Sequence, residues 1–193
     1  IDSFNTFDQP LIYTPGDNEW ADCHRANNGG YDPIERLAKL RQMMFAQPDT
    51  FGRARAPLAH QSADPKFAKF VENVRWEKAG VVFATLHVIG SNNNLQRDQA
   101  AVNEYIERNA ANLAWINAAF ARASEVAAKG VVFFFQADLL FDKASEQDAR
   151  SGFNDTISAF KRLAIAFGKP VLLIHGDHHH LVIDQPLIGP GRQ

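Results

Sequence analysis

Four histidines fall within six positions near the end of the chain, in the string His175-Gly176-Asp177-His178-His179-His180. Imidazoles and a carboxylate at this density suit a divalent metal or a phosphate group. Two other strings carry compatible donors: Gly16-Asp17-Asn18-Glu19-Trp20 and Gln136-Ala137-Asp138. Carboxylates, imidazoles and amides together match a hard or borderline cation. His24 and Arg25 follow the first string, and a guanidinium grips phosphate well. Each feature also has a plainer reading. Gly-Asp-Asn forms Asx turns, Gln136 can be a polar strand end, the histidines an exposed cluster, and His24 and Arg25 ordinary surface residues.

Bringing such strings together is the work of the elements before them. Each follows a short apolar run: residues 11–14, 131–135 and 171–174. Runs of this length read as buried strands, and open α/β sheets build their sites beyond the carboxyl ends of strands. A fourth run, 81–89, ends at Gly90 and Ser91-Asn92-Asn93-Asn94. His87 within it either faces the same cleft or is structural, and Asn92 and Asn93 order the loop that follows.

Between these runs the pattern is helical. Asp32, Pro33 and Glu35 form a capping arrangement for a helix ending near Gln47-Pro48. Residues 48–65 read as a long surface loop and 67–74 as a short helix. Asp98 caps a long helix with Leu113, Ile116, Phe120 and Ala123 on its buried stripe, ended by Gly130. A third helix, 155–167, buries Ile157, Phe160, Leu163 and Phe167 and stops at Gly168. Residues 181–183 read as a further strand. Trp20, Trp76 and Trp115 read as packing residues. Alternating strands and helices argue for α/β layers.

Composition narrows the class. With 193 residues, 46% of them apolar, the chain suits one domain with a substantial core. No apolar run has membrane-spanning length. A formal net charge of -2 gives no general attraction to nucleic acid. Cys23 is the one cysteine, so it is either a free thiol or paired outside this chain. The first residue is Ile1 and no signal peptide is visible. The compartment is left open, with a secreted or periplasmic location compatible.

Together these strings resemble the calcineurin-like metallophosphoesterases, in particular an uncharacterised bacterial subgroup in which strings similar to PGDNEWADCHR, VENVRW, GSNN and KPVLLIHGDHH recur together. Gly16-Asp17-Asn18-Glu19 is similar to that family's third motif, Gly-Asn-His-(Asp or Glu). Gln136 stands at the place of the fourth-motif His. Gly176-Asp177-His178-His179 resembles the fifth, Gly-His-x-His. The first two motifs, Asp-x-His and Gly-Asp-x-x-Asp, are not found here. The resemblance places them before Ile1, together with the first strands, and so implies a partial domain over residues 1–193.

The resemblance implies a layered sandwich of mixed β-sheets flanked by helices. It implies a second metal held by Asp17, Gln136, Asp177 and His179, with Asn18 at the catalytic His position and His24 and Arg25 near the phosphate. Two carboxylates in the set widen the choice among Mn, Fe, Mg, Ca and Zn. The implied activity is hydrolysis of a phosphoester, such as a phosphorylated small molecule, at a dinuclear site completed by upstream residues or by another chain or segment. Gln136 is a weaker ligand than His, and Asn18 is no general acid. A non-catalytic relative binding a ligand, a metal or a partner protein is therefore the alternative. Without the upstream groups the isolated chain is expected to show little phosphatase activity. Alternation along an extended segment puts His179 on the side of Asp177, with His178 and His180 turned away.

Overall fold

The computed structural model describes residues 1–47, 50–141 and 151–187. Pro48, at the expected end of the first helix, lies outside the described residues. The sheet grows from a hairpin. Strands β2 (Val74–Lys78) and β3 (Val81–Thr85) pair antiparallel. Ala79 and Gly80 join them, both at positive φ, the backbone twist that a two-residue hairpin loop requires. Strand β1 (Ala59–His60) adds antiparallel to β2. Beyond β3 the sheet is parallel: β4 (Gly130–Phe134) lies beside β3, and β5 (Val171–Ile174) beside β4, giving the order β1-β2-β3-β4-β5.

Parallel neighbours need crossovers, and two helices supply them. Helix α2 (Gln99–Glu125) starts where the Asp98 side chain accepts the Ala101 N–H. Helix α3 (Asn154–Phe167) ends at left-handed Gly168. Ile116, Ala119, Phe120 and Ala123 of α2 and Ala159 and Phe160 of α3 form one core with Val82, Ala84, Val131 and Phe133 of the sheet. Helix α1 (Pro33–Met44) is capped as expected, with Asp32 accepting from the Ile34 N–H, and Leu37 packs beside Trp20 and Ile89. No helix of the described residues is long and apolar enough to cross a membrane.

The opposite sheet face is aromatic and only half covered. Trp76 stacks on Phe83 at 5.3 Å and on Phe134 at 5.9 Å. Farther along, Leu172 and Ile174 of edge strand β5 are exposed.

Four expectations are corrected. Residues 11–14 join no sheet: Leu11 makes one isolated bridge to Phe51. Residues 67–74 are not a helix. A single turn, Pro65–Phe67, gives way to β2 because the buried Asn73 amide binds Gln61 and Asn112 and fixes the chain there. The run 81–89 leaves the ladder after Thr85, since a tight turn bonds the Val88 N–H to the Leu86 carbonyl. Residues 181–183 form no strand, and Leu181 and Ile183 are exposed. The described fold is a mixed α/β sheet with helices.

Candidate functional site

Asp17 comes from the turn after residues 11–14, Gly90 and Ser91 from the chain beyond β3, Gln136 from beyond β4, and Asp177 from beyond β5. Asp17 is buried and Asp177 exposed. Their proximity shows at Gly90. A methyl group there would lie 2.4 Å from Asp17 Oδ2 and 2.7 Å from Asp177 Oδ2. The Gln136 side chain bridges the segments. Its Oε1 accepts the Gly90 N–H at 2.7 Å, and its Nε2 donates to Asp17 Oδ1 at 3.2 Å. The backbone donor fixes which end of the amide carries oxygen, and that oxygen keeps a second lone pair. Burial raises the Asp17 carboxyl above its usual range, and the charges of Asp177 and Asp22 push it further up.

Behind this group the chain makes an uncommon turn. Ser91, Asn92, Asn93 and Asn94 all have positive φ, between 50° and 64°. The left-handed region is costly for residues with a side chain, and such strain persists only where the surroundings over-determine it. Here they do. Buried Arg108 holds Asn93 Oδ1 at 2.5 Å and the Asn93 carbonyl at 3.0 Å. The Gly152 N–H binds Asn92 Oδ1 at 2.7 Å. Any side chain on Gly152 would collide with the Asn92 carbonyl. The turn aims the Ser91 hydroxyl at Asp22 Oδ1, 2.7 Å away, and more loosely at Asp17 Oδ2, 3.4 Å away. Arg25 closes the rim, paired with Asp22 at 2.7 Å and donating to Ser91 at 3.2 Å.

Asp17, Gln136 and Asp177 are thus brought together, with Arg25 beside them. Asn18 is exposed, and its N–H donates to Asp17 Oδ1 at 3.0 Å. His24 turns back to the Ala21 carbonyl at 2.8 Å. His179 lines the cleft that also holds Asp177, but it shows no hydrogen bond or ion pair among the described residues. The alternation argument for it fails because Asp177 and His179 both have positive φ, so the segment is not extended. His178 pairs with Asp138 Oδ2 at 2.9 Å and lies against the His180 ring at 4.3 Å. Among the described residues no three His, Cys, Asp or Glu side chains form a metal-binding group. The assembled donors are two carboxylates and an amide. Cys23 is free.

Sequence reasoning treated Asn92 and Asn93 as loop-ordering, gave Ser91 no role beyond that polar string, and was silent on Asp22 and Arg108. A run of three asparagines after an apolar strand is itself a signal, since Asn tolerates left-handed backbone better than most residues.

Beneath the site lies a second polar cluster. His87 is buried and does not face the cleft. Its Nε2 accepts from the Trp20 indole N–H at 3.1 Å, and its Nδ1 lies 3.4 Å from Glu72 Oε1. Burial holds the imidazole below its ordinary 6.5. Burial opposes the charge of Glu72, but Arg41, 2.6 Å away, helps to hold the carboxyl below its usual range. Both His87 and Glu72 bind fewer protons folded than unfolded. Stability should therefore be full above pH 6.5, decline below it as unfolded His87 protonates, and decline further below 4.5 as unfolded Glu72 protonates. Urea denaturation at a series of pH values checks this. The first decline should be absent in His87→Gln.

Comparison of the chain with protein-family models, with curated proteins and with solved structures finds no match.

Proposed function

We propose that the chain belongs to a metal-dependent phosphoesterase of the calcineurin-like type, built as a layered sandwich and hydrolysing a phosphoester. The observation that carries this reading is the convergence of Asp17, Gln136 and Asp177 on Gly90, at the mouth of the parallel part of the sheet. Two close carboxylates repel unless a proton or a cation separates them. The half-covered face bearing Trp76, Phe83 and Phe134 fits a sandwich, because parallel sheets are ordinarily covered on both faces.

Asp17, Asp177 and the free lone pair of Gln136 Oε1 would hold a divalent cation. Two carboxylates and an amide oxygen suit Mn, Mg, Ca or Fe better than Zn. Such a cation, when bound, polarises a phosphoryl oxygen and activates water. The chain's own residues do the rest. The Gly90 N–H fixes Gln136, Ser91 and Arg25 hold Asp22, and Arg25 presents its exposed guanidinium at the rim, where a phosphate oxygen can be gripped.

A non-catalytic binding protein is the second reading. It is favoured by the engagement of Gln136 with both Gly90 and Asp17 and by the turn of His24 back to the Ala21 carbonyl. Mn2+ calorimetry and hydrolysis of p-nitrophenyl phosphate separate the two. Hydrolysis lost in Asp17→Asn supports the enzyme, and Mn2+ binding without turnover, in a protein that also carries the first two motifs, supports the binder. A folded protein that binds no divalent cation removes the metal-dependent enzyme.

A further inference from the structure

We infer that His87, with Glu72 behind its ring, is a positioning residue for the Asp17 turn, acting through the indole of Trp20. This rests on Asp17 being the working carboxylate of the proposed site. The three side chains are almost completely buried, at 0%, 1% and 0% exposure. Apolar groups of similar shape would fill that space at less cost in desolvation, so the polar contacts ask for a role.

The contacts run in one direction. Arg41 and the His87 ring flank Glu72. The Trp20 hydrogen bond orients the His87 ring, and the His87 backbone is tied on both sides, which fixes where that ring is attached. Its N–H binds Asn73 Oδ1 at 2.9 Å, and its carbonyl accepts from Arg108 and Asn112, each at 2.8 Å. With Nε2 accepting from Trp20, the proton of the neutral ring sits on Nδ1, toward Glu72. The charged groups facing His87 are Glu72, Arg108 and Glu104. Arg108 also lies over the Trp20 ring at 5.5 Å.

Trp20 carries the constraint to the site. Its backbone N–H and that of Asp22 both bind the Asp17 carbonyl, at 3.2 and 3.0 Å. The indole hydrogen bond therefore sets where the Asp17 turn sits against Gly90. Packing alone would not need it, since a phenyl ring fills most of the indole volume.

The test uses Trp20→Phe, which removes the donor and keeps an aromatic ring, with His87→Leu and His87→Gln. Glutamine offers a side-chain oxygen near the position of the imidazole Nε2. Amide exchange by NMR should show the Asp22 N–H exchanging about tenfold faster in Trp20→Phe and His87→Leu, with the Phe133 N–H unchanged, a local opening rather than a global one. Mn2+ affinity should fall about ten- to a hundredfold in both, the loss typical of partners that orient a ligand. His87→Gln should recover part of each effect. Unchanged Asp22 exchange in folded Trp20→Phe overturns the inference. So does equal loss of protection at Asp22 and Phe133, which marks a merely structural role. Faster Asp22 exchange in a protein that binds no Mn2+ supports the positioning role and removes the metal reading.

Discussion

Gly90→Ala is expected to abolish divalent-cation binding while leaving the fold intact. The added methyl would stand 2.4 Å from Asp17 Oδ2 and 2.7 Å from Asp177 Oδ2, well inside contact distance. Both atoms end short flexible side chains, so the carboxylates swing away and the backbone stays. Moving two donors at once should cost more than losing a partner that only orients one, hence at least about a hundredfold in Mn2+ affinity. Calorimetry reads the affinity, and circular dichroism with thermal melting reads the fold. Wild-type affinity in the alanine variant would show that Asp17 and Asp177 do not act together.

Arg108→Met is expected to be the most destabilising single change near the site. The guanidinium is fully buried and makes five hydrogen bonds: two to Glu104, two to Asn93 and one to the His87 carbonyl. Methionine fills much of the volume but leaves Glu104, whose side chain is only 12% exposed, with an unpaired charge. It also removes the clamp on Asn93, within the run of four left-handed residues. Breaking a buried pair by deleting one partner costs about 3–5 kcal/mol. Urea unfolding monitored by tryptophan fluorescence measures it. A loss of under about 1 kcal/mol, the range of an exposed ion pair, would show that Arg108 does not hold the turn.

Much of the fold could be read from local signals. Asp32 and Asp98 cap helices that begin where expected, Gly168 ends α3, and the stripe of Ile116, Phe120 and Ala123 is buried. These succeeded because capping and periodicity are properties of neighbouring residues. Strand β2 was missed although Val74 and Trp76 alternate with polar residues before a two-residue turn, because the preceding Pro65–Phe67 turn imitates a helix start. The apolar runs at 11–14 and 181–183 misled because hydrophobicity alone does not supply a pairing partner.

The candidate site was legible where each polar string follows its run directly, and Asp17, Gln136 and Asp177 do meet. Parity failed at His179 because positive φ at Asp177 and His179 breaks alternation. Asp22, Ser91, Arg108 and the Glu72–His87–Trp20 chain were illegible for a different reason. Asp22 and Arg108 have local partners in Arg25 and Glu104, but the contacts that bring them to the site, Ser91 for Asp22 and Asn93 and the His87 carbonyl for Arg108, join segments that only the tertiary fold makes neighbours.

The bridging role of Gln136 has a thermodynamic consequence. Gln136 and Asp17 are 119 residues apart, and Gln136 and Gly90 are 46 apart. Closing loops of this size costs chain entropy that the folded state must offset. A ligand held by Asp17 and Asp177 together would bind the native chain and not the unfolded one. At a hundredfold excess over its dissociation constant, such a ligand shifts the unfolding equilibrium by about 2.7 kcal/mol. The melting temperature of the whole sheet would then rise with ligand concentration, making thermal shift a screen for the cation or phosphoester that this crevice prefers.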